Sequence, residues 1–235
     1  PLAESELEKI DRYVARGGNL LIAGEPGRQE VMNPLVERFG VQFMPGILVQ
    51  PSRDFDPDLI RGELTKDAAE MSLNYADLQK KKRVITMPGA MALSYTTDKG
   101  FMVRPVLTTC DSGCWNEIEA RDLLNEPVEL NPIVGEKERA YPIALALNRK
   151  IGNQEQRIMM YRKGIKASNF SLITESFRWL TDGEFPVNTR RPDPIDISIS
   201  LELSSMKWVK VTFVGIFPLL LIGCGILIWY RRKGR

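Results

Sequence analysis

The sequence predicts an α/β domain on a mostly parallel, Rossmann-like sheet, followed by one C-terminal transmembrane helix. Near the N-terminus, stretches with helical spacing alternate with short apolar runs. Near the C-terminus, Val211 to Tyr230 runs 20 residues without a charge. A chain of 235 residues, 43% apolar and 26% charged, is long enough to bury a proper core around such a sheet.

Leu7, Ile10 and Val14 share one face of a helix beginning near Ser5, and Gly17-Gly18 supplies the residue type that tolerates a left-handed cap. Asn19 to Ala23 reads as a short, buried, central strand. After the turn "GEPGR", Met32, Leu35, Val36 and Phe39 again carry helical spacing, Gly40 caps, and Val41 to Phe43 starts a strand. Helix, strand, helix, strand at this spacing argues for parallel pairing. Residues 83–89, 101–109, 141–147 and 156–161 read as further strands, with Pro105 marking an edge or a bulge in the second. "SNFSLITESFRWLTDG" is the clearest soluble helix, capped by Ser168 or Asn169 and stopped by Gly183. The domain is assigned to residues 1–185, and the polar, proline-containing stretch 186–206 to a linker or stalk.

The membrane helix is assigned to 207–230. Twelve of the 20 residues from Val211 are Leu, Ile, Val or Phe. At 1.5 Å per residue the run spans about 30 Å, the depth of a bilayer's hydrocarbon. Pro218 predicts a kink, and Gly215, Gly223 and Gly225 predict a small-residue surface for helix packing; ordinary glycine use in membrane helices explains them equally well. Arg231, Arg232, Lys233 and Arg235 crowd the tail 231–235 and predict a cytoplasmic C-terminus, with the domain outside; Lys207 and Lys210 on the other flank weaken this bias without reversing it. The chain opens on Pro1 without a signal segment, which predicts that it is a piece of a longer protein.

Thirty-two cationic residues against 30 acidic ones give a net charge of +2, so nucleic acid is not predicted as a partner. The chain has no histidine, which removes the usual general base, the commonest zinc ligand and the partner of most cysteine or serine nucleophiles. Glu25, Gly27 and Arg28 form a candidate ligand loop after a strand. It lacks either glycine-rich phosphate motif, and Glu25 opposes an anion, so a plain turn is the simpler reading. "RKGIKAS" (162–168) and "QKKKR" (79–83) read as a solvated loop and a helix end. Cys110 and Cys114 are compatible with a small-loop disulfide outside the cytoplasm or with two free thiols, while Cys224 belongs to the membrane helix. Asp54, Asp56, Asp58 and Glu63 form the densest acidic cluster, where a carboxylate enzyme would have to work.

The stretches "IDRYVARGGNLLIAGEPG", "FGVQFMPGILVQP", "VITMPGAMALS", "VLTTCDSGCWNE", "NQEQRIMM", "SNFSLITESFRWLTDGE" and "FPLLLIGCGILIWYRRK" are spread along nearly the whole chain, from Ile10 to Lys233. In this order they resemble the extracytoplasmic auxiliary component of ABC transporters of the gliding-motility type. The resemblance implies a glutamine-amidotransferase-like α/β domain tethered by a C-terminal helix in a bacterial cytoplasmic membrane, with the domain periplasmic. It implies an ABC transporter permease and ATPase as partners, with membrane lipid around the helix, and earlier membrane segments before Pro1. Relatives carry Gly-Asp-x-Asp-Phe where this chain has Arg162, Lys163, Gly164 and Ile165, so no role of those acids transfers. Active members of the fold class pair a cysteine with a histidine, whereas the equivalent loop here is "GEPG". The expectation is therefore a non-catalytic transport subunit that acts through permease contact and either captures substrate or regulates its access, with no cofactor and no metal. A glycan-binding module, a structural tether and a carboxylate hydrolase are the competing readings.

Overall fold

The computed structural model describes residues 3–119, 122–123, 125–162, 170–185, 208 and 210–233. The chain divides into two units, Pro1–Asn188 and Thr189–Arg235. Residues 186–206, assigned above to the linker, and residues 163–169 lie outside the described residues.

The first unit is a helix-covered, six-stranded mixed sheet. In chain order its elements are α1 (Glu4–Ala15), β1 (Leu20–Gly24), α2 (Gln29–Val36), β2 (Val41–Phe43), β3 (Ile47–Val49), β4 (Leu59–Leu64), α3 (Lys66–Met71), α4 (Leu73–Lys80), β5 (Ile85–Pro88), β6 (Leu93–Tyr95), β7 (Met102–Thr108), β8 (Trp115–Glu117), β9 (Pro142–Ile151), β10 (Gln154–Arg162) and α5 (Phe170–Leu180). The main sheet has the order β1-β10-β9-β7-β4-β5, while β2 with β6 and β3 with β8 form separate two-stranded antiparallel ribbons.

The mostly parallel, amidotransferase-like sheet expected from the sequence is not what this chain forms. Only β1 with β10 is parallel; β10 with β9, β9 with β7, β7 with β4 and β4 with β5 are all antiparallel. The physical reason lies in the connections. Ile151 faces Gln154, so β9 turns into β10 through Gly152-Asn153 alone, and a two-residue loop can join only antiparallel strands. Gly152 takes the positive φ of 60° that such a turn needs. At the other end, α2 leads to β2, which leaves the main sheet to pair with β6, so α2 is no parallel crossover. The strand expected to be central, β1, is a terminal strand of the sheet. Pro105 sits at a bulge, where the register slips between Pro105 and Leu107 opposite β9.

Both faces of the sheet are buried. Ile143, Ala144 and Ala146 of β9 and Met159 and Tyr161 of β10 pack with Ala68, Tyr75, Leu172 and Leu180 from α3, α4 and α5. On the other face, Leu145 and Leu147 with Ile158 and Met160 pack with Leu7, Val14, Leu35 and Val36 from α1 and α2. This double burial explains why β9 reads as a continuous apolar run rather than an alternating one.

A buried polar knot ties α5 to the α3–α4 junction. Glu175, 4% exposed, accepts from Ser72 Oγ at 2.6 Å, from Asn74 Nδ2 and from Arg178 Nη1 at 2.6 Å. Tyr75 reaches the same helix through hydrogen bonds to Leu172 O and Ser176 Oγ, both at 3.2 Å, and burial pushes its phenol well above the ordinary range.

In the second unit, Val211–Ile216 is a π-helical stretch that runs into α6 (Phe217–Lys233). The segment Val211–Lys233 is long and apolar enough to cross a membrane, with a mean hydropathy of 2.6 and none of its most apolar window buried. Pro218 cannot donate a backbone N–H to the turn before it, and the π geometry lies immediately upstream.

Replacing Glu175 by Ala strands Arg178 and two polar side chains together. Glu175→Ala is expected to cost about 3 kcal/mol, read as a lowered denaturation midpoint at unchanged slope.

Candidate functional site

The most concentrated polar chemistry in the first unit lies beside the β3–β8 ribbon. Trp115, Asn116 and Glu117 of β8 are all buried, which is unusual for a strand of this composition. The ribbon sets Glu117 opposite Ile47, and Gly46 precedes it at a φ of +88°. A Cβ on Gly46 would lie 2.1 Å from the carbonyl oxygen of Glu117, so only glycine lets the two backbones approach this closely. Asn116 Nδ2 donates to Pro45 O at 2.6 Å and fixes the same corner.

One carboxylate oxygen from each of Glu117, Glu119 and Glu136 lies within 4.8 Å of the other two. Glu136, 2% exposed, accepts the backbone N–H of Ile118 at 3.0 Å and of Asn131 at 2.8 Å. Asn131 in turn caps the short 3₁₀ turn Pro132–Val134 through Ile133 N and donates to Glu119 Oε2 at 3.3 Å. Trp115 Nε1 donates to Glu117 Oε2 at 3.3 Å. Among the described residues this is the group of acids that could together present oxygen ligands to a hard divalent cation. Its visible work is different: Glu136 braces the loop 131–136 against β8 with both of its oxygens.

A second polar centre closes the base of the sheet. Arg157 donates from its backbone N–H to Asn19 Oδ1 at 2.7 Å, from Nη1 to Trp179 O at 2.8 Å and Asp182 Oδ1 at 2.7 Å, and from Nη2 to Glu155 Oε2 at 2.7 Å. Asn19 Nδ2 donates to Leu180 O at 2.6 Å. Together they pin the end of α5 to the starts of β1 and β10, and an open groove of about 880 Å³ runs over them. Hydrogen bonds from Arg157 and Asn148 hold the Glu155 carboxyl below its usual range.

The residues singled out from the sequence are placed apart from these centres. Glu25, Gly27 and Arg28 form a tight turn in which Arg28 N donates to Glu25 O at 3.1 Å and Gly27 has a φ of +74°; Glu25 and Arg28 point to solvent. Asp54, Asp56, Asp58 and Glu63 are spread along a loop and β4 and do not gather. Cys110 and Cys114 are free thiols at the turn between β7 and β8. A Cβ on Gly215, Gly223 or Gly225 would meet no other atom within 4 Å. Arg231, Arg232 and Lys233 form the last turn of α6, with Lys233 Nζ 4.9 Å from the Trp229 ring centroid, whereas Arg235 lies outside the described residues. Sequence reasoning passed over the Glu117 group. Its signal was the i, i+2 pair Glu117 and Glu119, the second lying just past the end of β8.

The architecture defines the class: a mixed, mostly antiparallel α/β sheet covered by helices on both faces. No family model matches the chain, and no curated protein does. Among solved structures it is similar to one described as "mmIFT52 N-terminal domain", with a TM-score of 0.52 and 18% identity over 79% of this chain and 75% of that one. That likeness concerns the fold.

Two outcomes test the polar centres. Glu136→Ala leaves the Ile118 and Asn131 amides without their acceptor, and a loss of about 2 to 3 kcal/mol is expected, a fall of roughly 5 to 10 °C in Tm. Glu155 has a depressed folded pKa, so its contribution is complete above the unfolded value near 4.3 and disappears as pH falls through the folded one. The Tm gap between wild type and Glu155→Gln is therefore expected to be widest near neutrality and to close below about pH 4.

Proposed function

We propose that this chain is a membrane-anchored, non-catalytic domain of an ABC transport system in a bacterial cytoplasmic membrane, acting through contact with the permease. The observation that carries the reading is the Val211–Lys233 segment, exposed along its length and ending in Arg231, Arg232 and Lys233. Three cations at one end favour a cytoplasmic C-terminus and an extracytoplasmic first unit.

The absence of histidine supports a role in assembly rather than catalysis. So does the engagement of Glu136, whose two oxygens already hold backbone amides beside β8. ATP hydrolysis belongs to a separate subunit in this reading. The transport assignment itself rests on the family resemblance of the sequence.

Topology and partnership are tested separately. A single cysteine introduced at Ser52 in a Cys110→Ser, Cys114→Ser, Cys224→Ser background is expected to react with a membrane-impermeant maleimide in intact spheroplasts. Labelling only after lysis would reverse the orientation. Purification of the full chain in mild detergent is expected to recover a permease and a nucleotide-binding subunit in fixed ratio, and recovery of neither would remove the transport reading.

A further inference from the structure

We propose that Cys110 and Cys114 are a disulfide site, closing a five-residue loop at the turn between β7 and β8. The placement is carried by what the two residues touch. Cys110 Sγ accepts from Gln50 Nε2 at 3.0 Å and donates to Ser112 O at 2.9 Å, so it folds back over its own turn. In the β3–β8 ribbon Val49 faces Trp115, so Gln50 follows the last residue of β3 where Cys114 precedes the first residue of β8. Thr109 Oγ1 donates to Cys110 O at 3.2 Å and to Arg139 O at 3.5 Å, and Arg139 N donates in turn to Cys114 O at 3.4 Å. The two ends of the turn are thus tied to the same pair, Thr109 and Arg139, while Gln50 rests on the Cys110 sulfur.

The turn is also held from outside. Gly113 N donates to the Glu138 carboxylate, and Arg139 N donates to Cys114 O at 3.4 Å. Gly113, with a φ of +69° and nothing within 4 Å of a Cβ, gives the turn freedom to tighten.

The two thiols have unequal roles. Cys110 is partly exposed, whereas Cys114 is fully buried and its thiol is pushed up to about 11, chiefly by burial. Cys110 thiolate attacks one sulfur of an external disulfide, forms a mixed disulfide and expels one thiolate. Cys114 then gives up its proton and its sulfur displaces the second external thiol from Cys110. One external disulfide is reduced to two thiols, and the cysteine pair loses two electrons and two protons. An oxidising compartment supplies such a disulfide, so occupancy in the cell rests on the extracytoplasmic placement proposed above; the chemistry of the pair does not.

The purified full chain in detergent is incubated with oxidised glutathione at pH 8, alkylated and digested with trypsin. The peptide 100–121, which contains both cysteines and not Cys224, is expected to appear unalkylated and 2 mass units lighter than the dithiol, while Cys114→Ser is expected to stop at a glutathione adduct on Cys110. A wild-type peptide that stays a dithiol, or that keeps glutathione on Cys110 without releasing it, overturns the proposal whether or not the variant folds. The same peptide from acid-quenched membranes separates the two readings. A pair that closes in vitro but emerges reduced from cells supports the site and overturns the extracytoplasmic placement.

Discussion

The fold depends on a two-residue turn. Gly152 and Asn153 leave β9 no distance in which to cross over the sheet, so β10 must return alongside it in the opposite direction. That pair is the centre from which the rest is laid out. On one side β10 takes β1 in the only parallel pairing of the main sheet, and on the other β9 takes β7 and then, through it, the β4–β5 pair. Because β9 and β10 are buried on both faces, the helices have two surfaces to cover, and the chain divides them: α1 and α2 on one, α3, α4 and α5 on the other.

Much of this was legible residue by residue, and the misreading was one of pairing. Leu7 and Val14 at helical spacing do bury one face of α1, and Val41–Phe43 is a strand at the expected position. Pro105 does mark a bulge. What periodicity cannot say is which strands are neighbours. The Gly-Asn pair between two apolar runs carried that information and outweighs the helix-strand alternation upstream, which fails because β2 leaves the main sheet. Strands of three residues such as β3, β6 and β8 are too short for a period to register.

The polar centres show the same limit. A run of acids along the chain, from Asp54 to Glu63, looked concentrated because sequence distance is easy to see. The group that does converge draws Glu136 from a loop 17 residues beyond Glu119, and only the β3–β8 ribbon and the Asn131 cap bring them together. Likewise Arg157 joins Asn19 at one end of the chain to Trp179 and Asp182 near the end of the first unit, a contact that no local motif announces. Both centres use charge to fasten backbone, which is economical in a domain whose sheet leaves several loops to be anchored.

The regular part of the C-terminal helix fixes where its small residues can point. Gly223 and Gly225 lie two positions apart in α6, which at 100° per residue sets them about 200° apart around the axis. Gly215 lies upstream in the π-helical stretch, whose wider turn breaks the angular phase with α6. The helix thus carries shallow notches facing different directions, and a neighbour seated in one leaves another uncovered.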